Sequence, residues 1–345
     1  MGRARGSLTA PKTDRAPVLC CPDKFRGSLS AAEAAAALAR GVERTGRRAI
    51  QLPLADGGEG TLLALCPESA ARRTAIVTGP LGSPVEAAWG IRAGVAVVES
   101  AEASGLARVG GRNDPLRATT RGTGELIHAA LESGARRVIV GMGGSATVDG
   151  GLGALEALDF DLRGAEVVVA CDVETRFVEA ARVFAPQKGA DETAVARLEE
   201  RLEHLADRYE NELGVDVRNL VGGGAAGGLA GGLAALGASL RPGAALVADI
   251  LGLRKVLAEA SLAITGEGRY DATSRAGKVV GHVLREAETA GVRTAIVSGD
   301  ADAEALAALP SNVSHVTLVA LAGASDDALR DAARLVADAG ERLAG

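Results

Sequence analysis

Aromatic side chains are almost missing, with Phe 4, Tyr 2 and Trp 1 in 345 residues. That is too few for the base-stacking platforms of folds that bind single strands or RNA. A basic excess is missing too. The net charge is −6, so neither nucleic acid nor an anionic membrane finds an electrostatic footprint, and an anionic substrate has to be caught by local cations. Cys20, Cys21, Cys66 and Cys171 show no CxxC spacing and precede no paired histidines. This excludes a zinc site of the finger type and a disulfide framework, and it suits a reducing cytoplasm. The one uncharged stretch of bilayer length, 221–240, is so rich in glycine that it offers little hydrocarbon. It reads as a glycine-rich turn opening a tightly packed helix, not as a membrane span. Residues 1–16 are basic and polar without an apolar centre, and they read as a disordered tail and not as a secretory signal.

Glycine is abundant instead: 46 residues, against 11 prolines and 47% apolar residues. This combination excludes collagen and disorder and places the glycines inside a folded globule. At a working figure of about 150 residues per domain, the length suggests two domains. Along the chain, PVLCCPD reads as a buried strand, and Ser30 with Glu33 forms a capping box for an Ala-rich helix ending near Gly41 or Gly46. Apolar runs at 75–77, 85–91 and 95–98 read as strands of a mixed sheet. A helix capped by Thr123 and stopped by Gly134 precedes the strand RRVIVGM, and GGSATVDGGLGALEAL opens another helix. EVVVACD, LAITGEG, RTAIVSGD and SHVTLVAL continue as strands, with an amphipathic helix over 191–213 carrying Val195, Leu198, Leu202 and Leu205. Such alternation predicts an α/β fold with largely parallel sheets, whose ligands bind at the carboxyl ends of strands.

Five glycine clusters carry a charged or hydroxyl residue: Asp56 with Gly57, Gly58 and Glu59; 122–125; 141–147 with Gly143, Gly144 and Ser145; 222–228 with Gly223 and Gly224; and 266–271 with Glu267, Arg269 and Asp271. Successive backbone amides at such places form concave sites for phosphate oxygens. Together they suggest a polyphosphate, with Glu59, Glu267 and Asp271 as carboxylates suited to Mg2+ beside Asp56. Phosphoryl transfer follows from that combination. The bland reading is that each glycine pair caps a helix or permits close packing, and that Asp56 and Glu59 cap the helix after them. Cations for an anionic substrate stand at strand or loop ends: Lys24, Arg26, Lys188, Arg269 and Lys278.

Familiar motifs mostly fail. Lys278 follows Gly277, but Ala272 and Val279 break the Walker pattern, Thr147 breaks a GxSxG elbow at Ser145, and His128, His204, His282 and His315 lie apart. The loop from Gly141 to Ala146 does satisfy GxGxx[GA] after a strand, which leaves a nucleotide-dependent oxidoreductase using NAD(P) as an alternative.

The strings DKFRGSLSAAEAA (23–35), PLADGGEGT (53–61), AEASGLA (101–107), NDPLRATTRGTGELI (113–127), GMGGSATVDGG (141–151), VFAPQKGA (183–190), GGGAAGGLAGGL (222–233) and ITGEGRYD (264–271) resemble the two-domain bacterial glycerate kinase family, in that family's order. The resemblance implies ATP-dependent phosphorylation of D-glycerate with Mg2+, leaning to 2-phosphoglycerate over 3-phosphoglycerate. It also implies an outer α/β domain from both chain ends (17–75 and 260–345), a flavodoxin-like middle domain (76–259), and an active site in the cleft. A carboxylate must accept the proton of the attacking hydroxyl, and Asp56, Asp172 and Asp271 stand as candidates beside Lys188. This chain departs from the family's pattern in a short segment between Leu158 and Glu166, in the text after Asp172, and in Val148 and Lys24. A ligand sensor that kept the fold without turnover is therefore a third reading. A homodimer and a monomer are both left open.

Overall fold

The computed structural model describes residues 16–275 and 277–345, so most of the expected tail lies outside the described residues. Its strands in chain order are β1 (Val18–Cys20), β2 (Ala49–Gln51), β3 (Arg72–Thr78), β4 (Pro84–Arg92), β5 (Val95–Glu99), β6 (Arg137–Gly141), β7 (Glu166–Ala170), β8 (Ser239–Arg241), β9 (Leu262–Tyr270), β10 (Arg293–Ala301) and β11 (Val313–Thr317). The chain divides into two units, one reaching Leu54 and resuming over Ala248–Gly345, the other spanning Ala55–Val247. Both junctions fall earlier than the expected 75/76 and 259/260. Residues 72–75 belong to β3, which pairs with β4 in the second unit's sheet, and Gly57 packs on the Ala170 carbonyl of that sheet.

The discontinuous unit carries a five-stranded sheet in the order β2-β1-β9-β10-β11, parallel throughout. Its strands are buried apolar runs, as a parallel sheet covered on both faces requires: Val18, Leu19, Ala263, Ile264, Ile296 and Val297 are essentially inaccessible. This is the 2-1-3-4-5 order of a flavodoxin-type doubly wound sheet. That pattern was expected of the middle unit and stands instead in the outer one. The middle unit has a mixed sheet in the sequential order β3 to β8, antiparallel from β3 to β5 and parallel from β5 to β8. Short turns link β3 to β4 and β4 to β5, which permits antiparallel pairing, while crossover segments carry the parallel half.

The capping box is present: the Ser30 hydroxyl accepts from Glu33 N, and the Glu33 carboxylate accepts from Ser30 N. The helix it starts, Ala31–Arg44, runs past Gly41 and stops just before Gly46. Gly41 is needed for packing, because a Cβ there would lie 2.8 Å from both Ala337 C and Glu341 N of the helix Ala332–Ala344. Gly41→Ala therefore lowers the melting temperature. The helix-propensity gain of about 1 kcal/mol is outweighed by a backbone overlap that costs about 1–3 kcal/mol, and a calorimetric scan showing a gain would contradict this packing.

Three local expectations shift. The helix expected to be capped by Thr123 begins one residue after Thr120, at Arg121, because Asp149 takes the Thr120 amide and hydroxyl; Thr123 is buried against Ser104, hydroxyl to hydroxyl at 2.8 Å. GGSATVDGGLGALEAL is a loop up to the short helix Leu152–Ala157, since Gly144, Gly150 and Gly151 all hold positive φ. SHVTLVAL is strand only to Thr317, whose side chain then caps Leu318–Ala322 by accepting from Ala320 N. The helix over 191–213 is as expected, capped by Asp191 with Leu198, Leu202 and Leu205 buried. The connection between Leu158 and Glu166 is so tight that the non-glycine residues Asp159, Phe160 and Arg163 take left-handed backbone. The stretch 221–240 becomes turns, the buried helix Leu229–Ala235 and β8, and among the described residues no helix is long and apolar enough to cross a membrane.

Candidate active site

In the discontinuous unit, β1 ends beside Ile264 of β9, and the segment after it runs along the rest of β9, at the switch point where a doubly wound sheet binds ligands. Asp23 N donates to Gly266 O at 2.8 Å, and a Cβ on Gly268 would lie 2.9 Å from Arg26 N. The fold thus brings the segment carrying Lys24 and Arg26 against the one carrying Glu267 and Arg269. Arg269 is exposed and pairs with Asp302 at 2.6 Å, a surface contact of small energetic worth. Asp271 Oδ1 accepts from Thr273 N, Thr273 Oγ1 and Ser274 N, which caps the short helix after it. These bonds, with Lys278 nearby, hold its carboxyl below the usual range despite some burial. Lys278 itself is the N-cap residue of the helix Val279–Thr289.

In the middle unit, the loop 56–60 meets the carboxyl ends of β6 and β7. A Cβ on Gly57 would lie 2.7 Å from Ala170 O, one on Gly141 2.8 Å from Gly57 O, and one on Gly143 2.7 Å from Gly58 Cα. Such backbone-to-backbone approach admits only glycine. Asp56 Oδ1 accepts from Gly58 N at 3.0 Å. Neither Asp56 nor Glu59 caps the helix Thr61–Leu65: its N-cap Gly60 has no side-chain bond, and Leu62 N donates instead to Glu99 Oε1, from the end of β5. The Glu59 carboxylate occupies the space beside Gly144 that a Cβ there would need.

Three successive amides, those of Gly143, Gly144 and Ser145, donate to no protein acceptor among the described residues. Gly144 has φ 61°, and consecutive N–H groups with a left-handed residue among them make a concavity for anionic oxygens. Beside them stands Lys188, 6% exposed. Its Nζ donates to Ser145 Oγ at 2.8 Å and to Thr147 O at 2.7 Å, leaving one of its three N–H groups for a further acceptor. Burial pushes this amine down to about 7, with Asp149 opposing the shift. A cavity of about 300 Å³ is lined by Arg112, Asn113, Asp114, Gly189 and Asp191 among others, and Lys188 is not among its lining residues.

Two expected sites take other roles. The Gly223 amide donates to Leu220 O and the Gly224 amide to Thr175 O, so neither amide is available to a phosphate, and this cluster is a packing feature. Asp172 accepts from Gly243 N at 2.8 Å and Ala244 N at 3.1 Å, so both its oxygens hold the start of the helix Gly243–Leu251. Asp172→Asn is accordingly expected to lower stability by about 1 kcal/mol while keeping turnover within about tenfold; a thousandfold loss at unchanged stability would make Asp172 the proton acceptor instead. The oxidoreductase alternative also loses its geometry. A dinucleotide fingerprint needs a helix opening at its glycines, whereas here the helix starts at Leu152, well past Ala146.

Asp149, Asn113, Glu99 and Asp23 were not singled out from the sequence, although all but Glu99 lie in strings quoted above. The signal for Asp149 was available: an acid between a buried valine and two glycines has to be satisfied by backbone amides. The four cysteines are buried free thiols, and burial pushes Cys20 to about 12 and Cys171 to about 11, so they are unreactive as nucleophiles. Among the described residues no group of three or more His, Cys, Asp or Glu side chains is arranged to hold a metal ion.

Known proteins agree with this architecture. The model of the glycerate kinase family matches residues 18–165 and 158–345, the two stretches meeting in the short segment before β7. The chain is 41% identical over 302 residues to a protein of Escherichia coli K12 named glycerate 2-kinase, covering 76% of this chain and 79% of the relative. It is 38% identical over 322 residues to a glycerate kinase of Bacillus subtilis 168, covering 82% and 84%. The crystal structure of a putative glycerate kinase 2 from Salmonella typhimurium LT2 superposes with a TM-score of 0.81 at 36% identity, over 95% of this chain and 97% of that one. The chain therefore belongs to the glycerate kinase family, a family of phosphotransferases that use ATP.

Proposed function

We propose that this protein transfers the γ-phosphoryl group of ATP to the 2-hydroxyl of D-glycerate, forming ADP and 2-phosphoglycerate. The reading is carried by one observation: three unpaired backbone amides at Gly143–Ser145 lie beside the buried ammonium of Lys188, at the carboxyl end of β6. In-line phosphoryl transfer asks the protein mainly for positioning and charge neutralisation. The amides orient phosphoryl oxygens, and Lys188 neutralises the charge that develops on them. The glycerate oxygen bonds to phosphorus as the bond from phosphorus to the β-phosphate oxygen breaks, and the hydroxyl proton passes to a carboxylate. Asp56 is assigned that role, because Asp172 and Asp271 hold helix starts. Lys24 and Arg26, with Arg269 and Lys278, serve as the cations of the discontinuous unit for the anionic substrates.

Mg2+, when bound, supplies charge neutralisation and orientation at the phosphates. Hard carboxylate oxygen is the donor type it takes, and Glu59 beside Gly144 would hold it; Glu267, in β9, is a second carboxylate of the right type. The name of the Escherichia coli relative, glycerate 2-kinase, supports the 2-hydroxyl as acceptor. A coupled ADP assay tests the reading: ADP release has to require both Mg2+ and D-glycerate. Binding of ATP without release would instead support the sensor reading.

A further inference from the structure

Asn113 is a side chain that the transfer chemistry above does not call for. Its Nδ2 donates to two carbonyl oxygens, Ala146 O and Lys188 O, each at 2.9 Å. Both neighbours are acceptors, so only the NH2 edge of the amide can face them. On the other side, Asn113 Oδ1 is buried without a hydrogen-bond partner, an arrangement that costs stability. An amide kept at that cost is there for what its nitrogen ties together: the loop of Ser145 and the turn of Lys188, which lie far apart in sequence.

We infer that Asn113 is a positioning residue, which by bridging residues 146 and 188 seats the Lys188 amine on Ser145 and thereby sets the charge beside the three free amides. The role in turnover rests on the function proposed above; the seating of Lys188 does not. What faces Lys188 is Ser145 Oγ and Thr147 O in contact, the Phe184 ring with its centroid 5.9 Å away, and the Asp149 carboxylate. Asp149 is itself tied to Thr120, Gly151 and Gly153, and the Tyr209 hydroxyl behind it donates to Gly150 O. Asp149 is the one carboxylate among these, its pKa raised by burial, and Asn113→Leu leaves it in place, so a difference in the Lys188 midpoint from the wild type reports the seating of the amine.

The chain's lysines are Lys12, Lys24, Lys188, Lys255 and Lys278, few enough for carbon-13 NMR of the side-chain ε carbons, with the Lys188 signal assigned by its loss in Lys188→Met. In Asn113→Leu the loosened amine gains water, and its titration midpoint is expected to rise by about one pH unit or more. In the same variant kcat falls about tenfold while KM for ATP and D-glycerate stays within about threefold. Asn113→Asp, which keeps the shape, regains one donor when its carboxyl is protonated, so its kcat recovers as pH falls into the carboxyl range. Asn113→Ala, which adds no charge beside the amine, carries the same NMR readout should Asn113→Leu not fold. A merely structural Asn113 would give a lower melting temperature with the Lys188 midpoint unmoved and no recovery at low pH, and that result overturns the inference. If the wild type releases no ADP, the proposed function fails while the NMR midpoint still decides the seating of Lys188.

Discussion

Lys188→Met lowers kcat/KM for phosphoryl transfer by about 10²–10³-fold at neutral pH and leaves the fold intact. The size is that of removing one preorganised donor from a site that stabilises developing negative charge. The amine is 6% exposed and already holds Ser145 Oγ and Thr147 O, so its charge acts with little water to screen it. The pH dependence follows from the sign of its shift. Burial lowers it from 10.5 to about 7, so in the ligand-free protein the ammonium is lost as pH rises through about 7. Because the ammonium is the active form, kcat/KM of the wild type declines across that range. A bound anion favours the ammonium, so the decline in kcat lies at higher pH. Lys188→Met lacks both limbs. A wild-type kcat/KM that rises through the same range would make the neutral amine the proton acceptor and contradict this assignment. Stability gives an independent check. The unfolded chain keeps the lysine proton up to about 10.5 while the folded chain releases it at about 7, so the stability of the wild type relative to Lys188→Met rises between those two pH values. Urea unfolding at both ends of the range measures it.

Asp149→Ala is expected to cost about 4 kcal/mol, the largest stability loss of any substitution considered in the middle unit. Its buried carboxylate accepts from Thr120 N at 2.8 Å, Thr120 Oγ1 at 2.9 Å, Gly151 N at 3.2 Å and Gly153 N at 3.3 Å. Burial raises its pKa, and the four donors work against that rise. Truncation leaves those donors without an acceptor in a place water cannot reach, at the joint of the helices Arg121–Glu132 and Leu152–Ala157. In a unit of this size the loss corresponds to a fall in melting temperature of roughly 10 °C. Differential scanning calorimetry reads it directly, and a shift under about 2 °C would mean that the donors find other partners. The same change removes the carboxylate that favours the Lys188 ammonium, so activity falls with stability.

Much of this molecule was legible in the sequence because its signals are local. The Ser30–Glu33 box, the Asp191 cap and the alternating apolar runs each specify an element through neighbours within a few residues. The clusters 56–60 and 141–147 were legible as loops that follow strands, whereas 122–125 lies inside the helix Arg121–Glu132 and 266–270 inside β9. What escaped depends on partners distant in the chain. The amides of Gly223 and Gly224 are engaged because Leu220 and Thr175 accept from them, and nothing in GGGAAGGLAGGL distinguishes such a turn from an open cradle. Asp172 looked like a base until the helix Gly243–Leu251 was placed on it. The exchange of the flavodoxin-type order between the units has the same origin: β1 and β9 are neighbours only because the chain returns after the whole middle unit. Asn113 is the extreme case, since its worth lies in joining two carbonyls that sequence spacing cannot bring together.

The most direct measurement is phosphorus-31 NMR of a single reaction holding the purified protein, ATP, Mg2+ and D-glycerate. The account predicts equal appearance of ADP and 2-phosphoglycerate, with neither formed when D-glycerate is omitted. Folded protein that binds ATP yet forms no phosphoglycerate would contradict it. Formation of 3-phosphoglycerate would retain the transfer chemistry and overturn the assignment of the attacking hydroxyl.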